Sequence, residues 1–133
     1  MTISKCDSTE GGDEFLNNIR ISKDFLLREF ECKDGSHQVV LKAELLERLQ
    51  RLRDLAEKPV IVNSGYRNPA YNEKVGGSPT SRHLMGEAAD VRVPGLHPDE
   101  VAQLAREAGF TGIGIYRSFT HVDVRKEPVT WRG

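Results

Sequence analysis

Ser81-Arg82-His83-Leu84-Met85-Gly86-Glu87-Ala88-Ala89-Asp90 is the stretch on which the fold turns. It carries a histidine and, seven residues later, an aspartate. Between them Gly86 can take φ > 0 without steric cost, so the chain can reverse there. After it Ala88, Asp90 and Arg92 alternate with Ala89, Val91 and Val93, the period of a strand. A histidine in a loop followed by an aspartate on a strand can bring an imidazole nitrogen and a carboxylate oxygen to one point. A second stretch, Phe119-Thr120-His121-Val122-Asp123-Val124-Arg125, also reads as a strand, from its β-branched residues. His121 and Asp123 would share one face of it.

Two histidines and one carboxylate on short strands make a three-ligand zinc site with its fourth position open, which is the catalytic arrangement rather than the closed structural one. No Cys-x-x-Cys pair is present to build a cysteine-rich structural site. The spacing alone also allows an ordinary reading, in which two core or surface histidines accompany a strand-end aspartate.

The residues between the ligands bear on that choice. Ser81 to Asp90 resembles the S-x-H-x-x-G-x-A-x-D motif of the M15 zinc peptidases, the D-alanyl-D-alanine carboxypeptidase and LAS family. Thr120-His121-Val122-Asp123-Val124-Arg125 resembles that family's second motif, and Asn63-Ser64-Gly65-Tyr66-Arg67-Asn68-Pro69 is similar to its S-G-Y-R segment. The three stand in the family's order, between roughly Ile21 and Trp131. The H-x-D ending is similar to the branch that includes murein endopeptidases and phage lysins. The resemblance implies zinc as cofactor, with His83, Asp90 and His121 as its ligands. It also implies that Arg67 works at the rim of the cleft, where its guanidinium fork can clamp a carboxylate or a polarised carbonyl oxygen.

The rest of the chain frames this centre. At 133 residues one domain is expected, long enough to bury roughly two-thirds of the unfolded chain's surface. Residues 1–20 read as an N-terminal arm and 21–133 as a single zinc-peptidase domain. The net charge of −1 with 29% charged residues gives no basic stripe, so no nucleic-acid partner is expected. No apolar run approaches the ~20 residues of a membrane span. Met1 to Asn18 has neither a basic n-region nor an apolar h-region. Cytoplasmic synthesis followed by action on the cell wall, in the manner of phage lysins, is one expectation; a leader absent from this sequence is the other. Cys6 and Cys32 are the only cysteines, and free thiols are expected over a disulfide.

Ile21 to Phe30 reads as a short helix with Ser22 as its N-cap. Leu41, Leu45, Leu49, Leu52 and Leu55 recur at helical spacing between Leu41 and Lys58, and Pro59 ends that helix. Val60-Ile61-Val62 is a buried strand, Pro69 to Val75 one or two helical turns, and 76–81 a flexible loop. His97-Pro98-Asp99-Glu100 opens another helix, with His97 as a cap, and Gly109 stops it. Thr111 to Tyr116 and Phe119 to Arg125 pair as a hairpin. His37 is a surface loop residue, and Trp131 is expected to cap the core rather than edge the cleft.

The expected fold is therefore α+β: a small, largely antiparallel sheet holding the ligands, with helices on its back. The expected function is a zinc metallopeptidase, a peptidoglycan hydrolase acting as a monomer on stem or cross-bridge peptides next to D-amino acids. D-Ala–D-Ala carboxypeptidase, L-Ala–D-Glu endopeptidase and cross-link endopeptidase all fit it. A non-catalytic zinc-binding module on the same fold is the alternative. The proton-transferring base is the weak point of the family match. Some relatives place a glutamate three residues before the last ligand, where this chain has Ser118; others place a histidine two before it, where it has Phe119. Asp123 is the nearest carboxylate, either as that base or as a group that holds Arg125 or orients His121. Glu87 is a weaker candidate, because alternation turns it away from Asp90.

Overall fold

The computed structural model describes residues 16–133. The arm expected over residues 1–20 lies mostly outside the described residues, as does Cys6, the other half of any pairing with the buried Cys32. Asn17 is already part of the fold: its Nδ2 donates to Glu31 Oε2 and to the His37 carbonyl, both at 2.8 Å.

The helix expected over 21–30 does not form. Strands β1 (Arg20–Ser22) and β2 (Phe25–Leu26) make a tight hairpin, and a 3-10 turn covers Leu27–Phe30. Ten residues make a marginal helix on their own, and tertiary bonds decide otherwise. Gln50 Oε1 accepts from Ser22 Oγ at 2.8 Å and from the Asp24 N–H at 3.0 Å, while its Nε2 donates to Asp24 Oδ2 at 2.7 Å. Phe25, Leu27 and Phe30 still reach the core.

Helix α1 (Ala43–Ala56) presents Leu45, Leu49 and Leu52 to that core, with Leu41 buried just ahead of it. Leu55 departs from the expected stripe and is 43% exposed. Glu57 closes the helix in the left-handed conformation, φ 54°, two residues before Pro59.

Strands β3 (Ile61–Ser64), β4 (Ala88–Arg92), β5 (Gly112–Ile115), β6 (Thr120–Asp123) and β7 (Val129–Arg132) form one five-stranded sheet in the order β3-β4-β6-β5-β7. All neighbours are antiparallel except β5 and β7. The short helix α2 (Pro69–Lys74) follows β3, and α3 (Pro98–Glu107) follows β4. His97 caps α3 as expected: its Nδ1 accepts the Asp99 N–H at 3.2 Å, and Glu100 Oε1 accepts the His97 N–H at 2.9 Å.

Alternation divides the sheet into two faces. Ala89, Val91, Ile113, Ile115 and Val122 join the core, where α3 packs on β5 and β6 and α1 packs on α3. Asp90, His121 and Asp123 point the other way. The chain is thus α+β, with a largely antiparallel sheet backed by helices. Among the described residues no helix is long and apolar enough to cross a membrane.

Candidate metal centre and its cleft

Strand register brings the site together. Ser64, Asp90, His121, Gly114 and Trp131 oppose one another in a single row across all five strands. Side chains opposite each other on neighbouring strands are near neighbours, so Asp90 and His121 meet directly. His83 arrives from outside the sheet, on a 3-10 turn over Arg82–Met85. Ser81 Oγ caps that turn by accepting the His83 N–H at 3.2 Å. Gly86 ends it at φ 69°, where a Cβ would strike the Val40 carbonyl oxygen, so both conformation and space require glycine.

Asp90 Oδ1 lies 3.3 Å from His83 Nε2 and 3.0 Å from His121 Nδ1, and the three potential ligand atoms all fall within 4.8 Å of one another. The outer nitrogens of both imidazoles are already engaged. His83 Nδ1 stands 2.7 Å from the Gly65 carbonyl, which can only accept, so that nitrogen carries the proton. His121 Nε2 stands 2.8 Å from Asp123 Oδ2 and donates to it. In the neutral tautomers these bonds fix, both inner nitrogens turn lone pairs toward a carboxylate oxygen. Three acceptors converging on one point call for a cation between them, either a metal ion or a proton. The two spacings from Asp90 Oδ1, 3.3 and 3.0 Å, suit a metal: a tetrahedron with bonds of about 2.0–2.1 Å has edges of roughly 3.3 Å. The donor set of two neutral imidazoles and a carboxylate suits zinc.

Without a metal, a proton takes that place. Burial works to raise the Asp90 pKa, but the hydrogen bonds from His121 and His83 outweigh it and hold the carboxyl below its usual range. Burial works to lower the pKa of His121, yet its bonds to Asp123 and Asp90 hold it above the ordinary histidine value. Asp123 is likewise held low against its burial, chiefly by Arg125 and then by His121. Its side chain is 0% exposed. Arg125 grips it with Nε to Oδ1 at 2.9 Å, Nη2 to Oδ2 at 2.6 Å, and its backbone N–H to Oδ1 at 3.1 Å.

A cleft of about 830 Å³ opens over this point. Arg67 stands on one side. Its Nη2 approaches Asp90 Oδ2 at 3.4 Å, its Nη1 approaches Asn72 Oδ1 at 3.3 Å, and its backbone N–H donates to the His83 carbonyl at 3.1 Å. Tyr116, Phe119 and Trp131 form the other side. Trp131 is thus not a core residue. It sits on the edge strand β7, over the cleft face rather than beneath the sheet.

Sequence reasoning named His83, Asp90, His121, Arg67 and Asp123, and the fold gathers all five. It leaves three other residues elsewhere. His37 pairs with Glu31 at 3.0 Å, His97 caps α3, and Glu87 stands 3.9 Å from Arg82 over a neighbouring depression. Trp131 was placed in the core in preference to the cleft edge, and the Gly65 carbonyl behind His83 was missed. The alternation in Val129-Thr130-Trp131-Arg132 is a strand signal that could have found the first; nothing in the sequence marks the second.

The comparison with known proteins follows the same residues. The model of the family described as peptidase M15 matches residues 21–124. The zinc D-Ala-D-Ala carboxypeptidase of Streptomyces albus G is 42% identical over 67 residues, which are 50% of this chain and 26% of that protein. The chain therefore spans about a quarter of the length of the curated relative it matches. With the family pattern running along the chain through β6, and with the row that carries Asp90 and His121 inside it, the chain belongs to the peptidase M15 family.

Proposed function

We propose that this chain is a zinc peptidase that hydrolyses an amide bond in peptidoglycan peptides. One observation carries the reading: two imidazoles, each with its outer N–H already donated, and one carboxylate turn three acceptors onto a single point on the floor of a cleft. His83, Asp90 and His121 would hold the metal. Zinc at such a site acidifies a water and polarises a carbonyl.

The chain's own groups supply the rest. Arg67 stands where its guanidinium can bind a carboxylate of the substrate, and wall peptides carry several. Its long contact with Asp90 Oδ2 also steadies the face of that carboxylate turned away from the histidines. Asp123 lies behind His121, shut off from solvent, with both oxygens occupied by donors. That geometry favours holding His121 in its tautomer over exchanging protons with a substrate. Among the described residues lining the cleft, Asp90 is the only carboxylate.

The substrate assignment draws on the relative's name and on the family. Within it we favour an endopeptidase. The cleft shares Arg82, Arg125 and Val129 with a second depression of about 530 Å³, and a peptide lying across both would extend beyond the metal point. We further propose that residues 21–133 work as one domain and that the chain acts as a monomer.

Digestion of a panel of muropeptides with the zinc-loaded protein, read by mass spectrometry, tests the proposal. New amines released at a D-centred bond, and lost on adding a chelator, are expected. Cleavage of ordinary L-peptides with none of wall peptides refutes the substrate. Full zinc occupancy without hydrolysis of any peptide would identify a binding module instead.

A further inference from the structure

Strand β7 lies beyond the family match, which ends at residue 124. It is nonetheless firmly docked. The Val129 N–H donates to the Thr111 carbonyl and the Gly133 N–H to the Ile115 carbonyl, each at 3.0 Å, and Arg132 Nη2 reaches Asp99 Oδ1 on the first turn of α3 at 2.6 Å. In the row Asp90, His121, Gly114, Trp131, the last residue is two strands from His121. Such residues stand about 9–10 Å apart along the hydrogen-bonding direction, too far for ring contact unless a side chain leans across. Gly114 lets it lean. A Cβ there would come within 2.5 Å of the indole Cε2, and the Trp131 and His121 ring centroids approach to 5.1 Å.

The same indole carries the Arg125 guanidinium, whose Cζ lies 5.1 Å from the ring centre. Arg125 fixes Asp123, and Asp123 holds the His121 Nε2–H. One side chain thus covers both ends of the chain His121–Asp123–Arg125. Its own rotation is fixed in turn, because Nε1 donates to Tyr116 Oη at 2.9 Å and the Tyr116 ring stacks on Phe119 at 4.5 Å and 7°.

We propose that Trp131 is a positioning residue of the metal centre, acting through His121 and Arg125. It fixes the imidazole's rotation and keeps water off the hydrogen bond from His121 Nε2 to Asp123. Hydrogen bonds to a buried charge gain strength when water is excluded. The proposal rests on the reading of His121 as a metal ligand.

Two readouts on Trp131→Ala, Trp131→Phe and Trp131→Leu test it: zinc affinity, by competition with a chromogenic chelator, and the proton NMR signal of the His121 Nε2–H in the metal-free protein. Groups that orient a metal-binding histidine are typically worth 10–100-fold in affinity, so Trp131→Ala is expected to weaken zinc by about tenfold. Its Nε2–H signal should broaden through exchange with water. Trp131→Phe, which keeps a ring over both partners, should hold the signal and most of the affinity. Trp131→Leu keeps apolar volume but no ring face, and serves if the alanine variant does not fold; it should still lose affinity. Unchanged zinc affinity in the folded Ala or Leu variant, with only a lower Tm, overturns the proposal. So does an Nε2–H signal in Trp131→Ala as sharp as in the wild type. A wild-type protein that binds zinc but cuts no wall peptide would refute the proposed activity while leaving both readouts to judge Trp131.

Discussion

Replacing Asp123 by Asn separates the two roles open to that carboxylate. Asn preserves shape but offers one acceptor oxygen and an amide that only donates. Asp123 receives four hydrogen bonds: three from Arg125, through Nε, Nη2 and the backbone N–H, and one from His121 Nε2. If the Asn oxygen keeps Arg125 Nε and the backbone N–H, the amide faces His121 Nε2–H and Arg125 Nη2, donor against donor. His121 then loses the acceptor that fixes its tautomer. Loss of such an outer partner is typically worth 10–100-fold in metal affinity, about 1.4–2.7 kcal/mol. The expected result is a zinc Kd raised by that factor, measured by chelator competition, with kcat largely restored once zinc is saturating. The reverse pattern would refute the reasoning. An unchanged Kd with kcat down roughly 10²-fold or more at full occupancy would make Asp123 the general base.

Three further outcomes follow from the same geometry. Gly112→Ala places a Cβ inside the Asp123 carboxylate; crowding of this kind costs typically 1–3 kcal/mol, so both Tm and zinc affinity should fall, and wild-type values for both would contradict the packing. Zinc uptake should weaken as pH falls through the raised pKa of His121, above the pH at which an ordinary histidine protonates, because the metal needs the neutral ring; isothermal titration across pH checks this, and a midpoint at or below the ordinary histidine value would refute it. Leu49→Ala, at a fully buried position of α1, should cost about 2–5 kcal/mol in urea unfolding while leaving zinc stoichiometry intact, since Leu49 lies on the core side of the sheet.

What could be read in the sequence divides along physical lines. The leucines of α1, the cap at His97-Pro98 and the alternation after Gly86 are local signals, set by residues within a turn or two of one another, and they appear in the structure nearly where they were expected. The clustering of the candidate ligands is legible for a related reason. His83 and Asp90 are joined by one short turn, and His121 and Asp123 share one strand. Two features depended on distant partners and were misread. Residues 21–30 carry a helical spacing of apolar residues, but Gln50, on α1, satisfies the backbone and side chains of a hairpin there. Trp131 looked like core because large aromatics usually are. Its place was decided by β7 joining β5 in parallel at the sheet edge, and by Gly114 leaving room above His121. Residues 129–132 do carry a strand's alternation, but in neither case can the partner be read from the local sequence.

The central claim is that His83, Asp90 and His121 together hold one metal ion. Metal analysis of the purified wild type beside the His83→Ala, Asp90→Ala and His121→Ala variants, each shown to be folded by circular dichroism, tests it most directly. The account predicts one zinc per chain in the wild type and loss of that zinc in each variant. Full zinc occupancy in folded His121→Ala would contradict it.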